Sequence, residues 1–488
     1  MDAGSTVAEG AAGRSQEIRA LLRKYGVFLD ETFDDHAALI SSGRLDSLAL
    51  FQLILWVEVK IGHPVNLRTV NLASEWDSIG RILQYVDQFL PGGIAPAQPG
   101  PPRNPVLRNH GTLDIVRYTA AYKHAVARLQ TGLWSKDAGL NLRYLEWKYE
   151  NNPFLAEPHI YLAVDHDEVV GMRGFHGSRW EVGQPCSQHD VLVADDLLVR
   201  EDHRNRGLVH QIMQVALADL SARGEDFVFN LGGGAITVSG SLAMGWKSAG
   251  ALKPIRRRAW SSVLRSRIRH GVTVLPLLWR FENSGALYSP IDRNAFLSLD
   301  GLAGPITSSD GLRINVSRQP HPERMADLVQ RLEKDGRIRH VRDAVYYAWR
   351  FQNPLHEYRF FYAGVDALDG YLVVRRHLGL DGPDPRVRIV DLEAVDDCSR
   401  KALLETVTRP GLFADLEAWA ATLQPPDISF LKRAGLESVV QHRALQGHPC
   451  ILVRPADDAR LEKPWHLDGV PLLDLRNWDL RMLYSMAG

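Results

Sequence analysis

The chain has 488 residues, enough for roughly three domains at an ordinary domain size. Its 57 lysines and arginines against 58 acids leave a formal net charge of −1, which excludes a global field drawing in nucleic acid or an acidic membrane. Three scattered cysteines, Cys186, Cys398 and Cys450, form no CxxC pair and join no histidine cluster, which excludes the common zinc patterns and fits a reducing cytoplasm.

In chain order, the Gly-, Ala- and Ser-rich residues 1–15 read as a disordered tail; they lack the basic start and apolar core of a signal peptide. No apolar run reaches the length of about 18 residues that spans a bilayer: LALFQLILWVEV is short and is broken by Gln52 and Glu58. The expectation is a soluble cytoplasmic protein with small-molecule and protein partners, no nucleic acid and no membrane. Residues 16–90 predict an all-α four-helix unit. IRALLRKYGV and LALFQLILWVEVKIG are apolar at helical spacing, and DSIGRILQYVDQFL places Ile79, Ile82, Leu83 and Val86 on one face behind Asp77 or Ser78 as a cap.

The composition then changes to PGGIAPAQPGPPRNP, residues 91–105. Proline removes donors and favours extended polyproline II, so this is a semi-rigid tether able to span on the order of 45 Å at about 3.1 Å per residue. Beyond it, strands and helices alternate: HIYLAVDHDEVVGMRGF as a hairpin, VLVADDLLV as a strand, HQIMQVALADLSARG as an amphipathic helix, DFVFNL as a strand. That pattern predicts α/β units, a mixed sheet flanked by helices.

One segment repeats. RYLEWKYENNPF around Trp147 recurs, one residue shorter, as YYAWRFQNPLHE around Trp349, 202 residues later. Each copy is followed by a hairpin ending in glycine, an acidic strand (VADDLLV, then VRIVDLEAV) and a short Gly-containing turn. Four features in one order predict duplication, dividing the remainder into units at 106–285 and 286–488.

GRLDSLALFQL, with Asp46 and Ser47 at the mouth of an apolar helix, resembles the acyl or peptidyl carrier protein family across residues 16–90. The resemblance implies a 4′-phosphopantetheine arm esterified to Ser47, attached by a phosphopantetheinyl transferase and charged by an acyl- or aminoacyl-loading enzyme. It also implies that Asp46 helps hold the metal during attachment; the chain needs no metal of its own. A helix N-terminus with unpaired N–H groups independently suits a phosphodiester there. The same residues would equally serve as an ordinary helix cap.

Residues 191–250 resemble the GNAT acyltransferase superfamily. Arg204-Asn205-Arg206-Gly207-Leu208-Val209, between a strand and a helix, matches that family's phosphate turn, in which backbone N–H groups face the pyrophosphate of acyl-CoA. Val209 stands where a small residue is usual. Asp195 and Asp196, on the strand before this turn, match the usual place of an acidic base, with Glu201 and His203 as further catalytic candidates. Asn230 is the expected contact to a pantetheine arm. Ser241 stands where many relatives supply a tyrosine to protonate the leaving thiolate. The second unit has no Arg-x-x-Gly turn, which predicts a lost donor site and a role as scaffold or acceptor-side wall; Asp391 and Glu393 are secondary candidates.

Residues 251–270 carry Lys253, Arg256, Arg257, Arg258, Arg265, Arg267 and Arg269 without an acid, whereas residues 16–90 hold ten acids and seven Lys/Arg, a net of −3. Such complementarity would favour docking. The leading expectation is transfer of an acyl or aminoacyl group from the Ser47 arm to an amine acceptor, in a specialised-metabolite pathway by resemblance. Two alternatives remain: self-loading of the Ser47 thiol from acyl-CoA, and non-catalytic recognition of the carrier's cargo.

Overall fold

A computed structural model describes residues 3–29, 33–45, 47–63, 65, 70, 72–89, 113–204, 206–232, 235–257, 304–379, 384, 386–409, 412–413, 415–439 and 450–486. The tether at 91–105 and most of the basic run, from Arg258 onward, lie outside them.

Helix α1 spans Ala3–Lys24, so the expectation of a tail over residues 1–15 is corrected. Alanine and glutamate favour helix, and the start of the unit is tied down: Arg14 pairs with Asp87 at 2.6 Å, and Ser15 Oγ donates to Asp35 Oδ2 at 2.6 Å. Helix α2 spans Ser47–Ile61, α3 Leu72–Glu75 and α4 Ile79–Asp87. Ile18, Leu22, Leu50, Leu53, Ile54, Val57, Trp76, Ile79, Ile82 and Val86 form their shared core. Ser78 caps α4, accepting from Arg81 N, while Asp77 accepts from Ile40 N at 2.8 Å and Ser41 N at 2.7 Å. The two capping candidates thus divide the work: one starts α4, the other fixes the loop that leads to Ser47.

The next strands are β1 (Leu113–Arg117), β2 (His159–Asp165), β3 (Glu168–Val182) and β4 (Ser187–Val199), all antiparallel neighbours. The β2–β3 hairpin closes on His166 and Asp167 at φ 47° and 64°, the left-handed pair that a two-residue turn of matching twist requires. Helices α5 (Lys123–Leu129) and α6 (Ala138–Leu145) lie between β1 and β2; α7 (Leu208–Ala222) connects β4 to its parallel neighbour β5 (Phe227–Leu231), and α8 (Ala235–Ala243) precedes β6 (Lys247–Ala251).

A second sheet repeats the plan with β7 (Pro254–Arg257), β8 (Ile306–Thr307), β9 (Arg313–Ser317), β11 (His356–Ala363), β12 (Gly370–His377), β13 (Val387–Ala394), β14 (Leu416–Trp419) and β15 (Glu437–Ser438). The short β10 (Arg339–His340) pairs instead with β3 of the first sheet. As in the first sheet, one parallel pair, β13 with β14, interrupts antiparallel neighbours. Each sheet takes a strand from across residue 285. β16 (Cys450–Pro455) lies between β5 and β6 of the first sheet, and β7 lies between β14 and β15 of the second. The described Arg256 and Arg257 of the basic run are consumed there: Arg256 pairs with Asp415, and Arg257 donates to the Thr408 and Phe413 carbonyls.

The repeated tryptophans meet. Trp147 and Trp349 stack with ring centroids 4.9 Å apart and planes 12° from parallel. Each indole Nε1–H donates to the other residue's carbonyl, at 2.7 and 2.9 Å. The extra residue of the first copy also has a physical form: Glu146–Glu150 is a wider turn, with Asn151 N bonded to the Glu146 carbonyl five residues back, whereas Trp349 lies in an ordinary helix, Ala344–Arg350. Beyond it the copies realign, since Asn152 Oδ1 accepts from Phe154 N and Asn353 Oδ1 from Leu355 N, both at 2.9 Å.

Trp147→Ala removes a buried ring and both of its reciprocal partners' support, and is expected to destabilise the chain by about 3–5 kcal/mol. A urea midpoint equal to that of the parent protein would contradict the role assigned to this stack.

Candidate active site

β4 and β5 run in register only at Leu192 opposite Val228 and Val193 opposite Phe229. β4 bulges directly afterwards: its pairing with β3 shifts between Met172 and Gly174, and Asp196 adopts φ 50°. A left-handed non-glycine residue costs about 1–3 kcal/mol, so the surroundings must hold it. They do so through its side chain. Asp196 Oδ1 accepts from Trp134 Nε1 and Lys148 Nζ, both at 2.9 Å, and Oδ2 accepts from the Tyr149 hydroxyl at 2.8 Å and Gln130 Nε2 at 3.3 Å. Gly174 makes room for this, because a Cβ there would fall 2.0 Å from the Tyr149 oxygen.

Lys148 is fully buried and bridges both carboxylates, reaching Asp195 Oδ2 at 2.8 Å and also donating to the Tyr144 hydroxyl at 3.1 Å. Burial alone would lower its pKa; Asp195 and Asp196 override that and hold it well above the usual lysine value. The two acids then separate in character. Burial works to raise Asp195, but Lys148 prevails and keeps it below the ordinary carboxylate range. Asp196 is pushed up by burial and by its neighbour Asp195, against the pull of Lys148. With four donors and no side-chain exposure, Asp196 is a structural anchor and not an accessible base. Asp195 keeps 21% of its side-chain surface and is the more accessible of the two acids.

The other catalytic candidates lie elsewhere. Glu201 is exposed, and His203 bonds Asp202 Oδ1 at 2.8 Å and Asp165 Oδ2 at 3.0 Å, beside the β2–β3 turn. Glu168, the strand partner of Asp165, is six residues along β3 from Gly174, the partner of Asp195, which is roughly 20 Å of strand. Glu201 and His203 are therefore not brought to Asp195. Ser241 is buried and donates to the Thr237 carbonyl at 2.9 Å, a helix-internal bond.

The segment expected to form a phosphate turn lies between β4 and α7. Gly207 caps the start of α7 at φ 72°, Leu208 is buried, and Val209 packs against the same core, which explains how a branched side chain is accommodated beside the turn. Arg204 Nε donates to the Val199 carbonyl at 3.2 Å, and Arg206 is exposed. Asn205 and Asp46 lie outside the described residues. Asn230 is buried on β5, opposite Leu452 of β16.

The N-terminal unit docks here. Gly43, at φ 69°, lies against Gly207: a Cβ on Gly207 would be 3.1 Å from the Gly43 carbonyl oxygen, and one on Gly43 would be 3.4 Å from the Gly207 Cα. Ser47 is four residues further on and opens α2, which packs against α8. Ala49, Leu50 and Leu53 belong to one continuous apolar cluster with Leu208, Val238 and Leu242.

In the second unit Asp391 and Glu393 are buried and paired. Arg342 Nη1 lies 3.2 Å from Asp391 and 2.6 Å from Glu393, the Tyr371 hydroxyl donates to Asp391 at 2.9 Å, and Arg481 Nε donates to Glu393 at 2.9 Å. The groups missed by sequence reasoning are Lys148, Tyr149, Trp134 and Gln130. A signal for the first two was present: a lysine and a tyrosine directly after the repeated tryptophan.

Residues 125–232 match the model of the acetyltransferase (GNAT) family, so the stretch from α5 through β5 is a GNAT acetyltransferase domain. No curated protein matches the sequence. Among solved structures, a GCN5-related N-acetyltransferase from Anabaena variabilis is similar at 11% identity and a TM-score of 0.42, covering 71% of this chain and 73% of its own. One from Kribbella flavida is similar at 15% and 0.43, covering 72% of each. A tandem GNAT protein from the clavulanic acid biosynthesis pathway is similar at 14% and 0.43, covering 71% of this chain and 99% of its own. Among the described residues no helix is long and apolar enough to cross a membrane, and no cluster of potential ligands could hold a metal ion.

Lys148→Met strands two buried carboxylates without their shared cation and is expected to destabilise the fold by about 3–5 kcal/mol. The Lys148→Met, Asp196→Asn double variant is expected to recover part of that loss. Equal melting temperatures for Lys148→Met and the parent would refute the buried bridge.

Proposed function

We propose that this chain is a carrier-fused acyltransferase, in which Ser47 bears a 4′-phosphopantetheine arm and an acyl or aminoacyl group passes from that arm to an amine beside Asp195 of β4. The observation that carries the reading is the contact of Gly43 with Gly207, which sets the helix start bearing Ser47 beside the family's phosphate turn. Ser47 would hold the arm, and the N-terminus of α7 around Gly207 fits the single phosphodiester of such an arm, since a helix start favours an anion. Bound there, the arm would supply a thioester, whose carbonyl carbon forms a bond to the amine nitrogen as the C–S bond breaks and the sulfur takes a proton.

The chain's own residues would then orient the acceptor. Asp195 accepts a hydrogen bond from the incoming amine and favours its approach electrostatically, while Lys148 fixes the rotamer of Asp195 and keeps it ionised. A depressed carboxylate is a weak base, so the contribution of Asp195 is mainly positioning and charge, and the amine's proton leaves to solvent. Docking in cis places the arm at a high effective concentration, on the order of millimolar for a flexible connection. With the N-terminal unit seated, Gly43 occupies space beside Gly207, which favours the arm over the diphosphate of free acyl-CoA as donor.

Treating the full chain with coenzyme A and a phosphopantetheinyl transferase is expected to add the mass of one arm, and Ser47→Ala to abolish the gain; an unchanged mass for the parent sinks the proposal. In the acyl-loaded protein, Gly207→Ala, which strains a left-handed position and crowds Gly43, is expected to accept the arm normally but to slow single-turnover transfer to an amine about tenfold or more. Asp195→Asn is expected to slow it on the order of 10²-fold with the arm still attached. Passage of label from acyl-CoA to the Ser47 thiol without any amine would support self-loading instead.

A further inference from the structure

Arg375 lies on β12, 202 residues after Arg173 on β3, and is fully buried. Its Nε, Nη1 and Nη2 all make no hydrogen bond. By register it faces Tyr358 of β11 on one side and Arg388 of β13 on the other, so the three share one face of the second sheet. Tyr358 belongs to the apolar cluster between the two sheets, which sets that face toward the first unit.

The charge around it does not balance. Arg388 and Arg386 share Glu417, at 3.1 and 3.4 Å, and Asp384, at 3.5 and 3.9 Å. Arg350 is also buried, but its donors go to neutral groups: the Leu483 and Ser485 carbonyls and the Tyr358 hydroxyl, at 2.9, 3.0 and 3.0 Å. Asp391 and Glu393 are taken by Arg342 and Arg481. Neither Arg350 nor Arg375 thus forms an ion pair with an acid among the described residues. His356 and His377 beside them are kept neutral, His377 pushed down to about 4, by burial first and then by Arg375. A lone buried ion is costly by several kcal/mol, and arginine keeps its charge, so the site favours an added anion strongly.

We infer that Arg375, with Arg350, Tyr358 and His377 around it, forms a binding site for the carboxylate of the acceptor, so that the amine acceptor is an amino acid or another amino-carboxylic acid. A guanidinium fork whose three nitrogens make no hydrogen bond matches a carboxylate bidentately. A single carboxylate needs fewer donors than a phosphoryl group. The position suits an acceptor as well: the His377 ring lies 6.2 Å from that of Trp134, whose Nε1–H is bonded to Asp196 beside Asp195. His377, two residues along β12 from Arg375, is only half-buried. Assignment of this anion to the acceptor rests on the transfer reading above; the anion site itself does not.

The test is binding by the full chain without arm or thioester, so it stands or falls separately from transfer. Thermal unfolding is followed with a panel of amino acids, with their decarboxylated amines, and with inorganic phosphate. The parent is expected to melt higher with a carboxylate-bearing member and not with the matching amine. Arg375→Met is expected to melt higher than the parent without any addition, because an unpaired buried charge is gone, and to bind roughly tenfold to a hundredfold more weakly. Arg375→Lys should retain the charge but lose most of the gain. A lower melting temperature for Arg375→Met, an equal response in parent and variant, or a parent unmoved by every carboxylate would overturn the inference; stabilisation by phosphate alone would replace the carboxylate with a phosphoryl group and overturn it too.

Discussion

The reciprocal contact of Trp147 and Trp349 is the constraint on which the rest depends. Two indoles that stack and each donate to the other's carbonyl leave little freedom in either distance or rotation between the halves. The exchange of β16 and β7 reinforces it, because neither sheet can complete its ladder without a strand from the other half. Backbone hydrogen bonding therefore makes the two units inseparable, and the space between them is as fixed as the core of either one. An acceptor bound there, as proposed, would meet walls of that rigidity.

The residue after each tryptophan then sets the electrostatics. Lys148 meets Asp195 and Asp196, and the first unit closes its charge locally. Arg350, at the matching position, turns to the neutral carbonyls of Leu483 and Ser485, while the acids of the second unit go to Arg342 and Arg481. Arg173 has Asp195 and Asp196 near it to offset burial, and Arg375 has Arg388. The two units thus differ, one with a satisfied buried pair and one with surplus positive charge, both facing the same interior. That asymmetry is a physical reason for keeping a second unit that lacks a phosphate turn.

Much of the fold was legible in the sequence because its signals are local. Alternation and helical spacing marked the β2–β3 hairpin, β4, α7 and β5, and a repeated tryptophan motif marked the duplication. The strand exchange was not legible, since nothing in CILVRP or PIRR names a partner hundreds of residues away; pairing of this kind is decided by tertiary packing. The first helix was missed because glycines and small residues masked a segment that Asp35 and Asp87 anchor from a distance. In the site, the acidic pair on β4 was visible, but which acid faces solvent was not: the bulge at Asp196 breaks the simple alternation of a strand, and only the positions of Trp134, Lys148 and Tyr149 decide it. Glu201 and His203 were near in sequence and are far along the strand.

The docked N-terminal unit closes the argument on the donor side. A turn built for a diphosphate presents several free N–H groups around an open helix start. Here a second left-handed glycine, Gly43, approaches Gly207 so closely that a Cβ on Gly207 would lie 3.1 Å from the Gly43 carbonyl oxygen, and the apolar residues of α2 continue the core through α8. That continuity buries hydrophobic surface from both units, which favours the seated arrangement by more than a passing encounter between separate surfaces would. The helix dipole of α7 and that of α2 both begin at this junction, so two positive helix ends lie near one point. On the proposed transfer, one phosphodiester between them would satisfy both, whereas a free diphosphate would have to displace the N-terminal unit first.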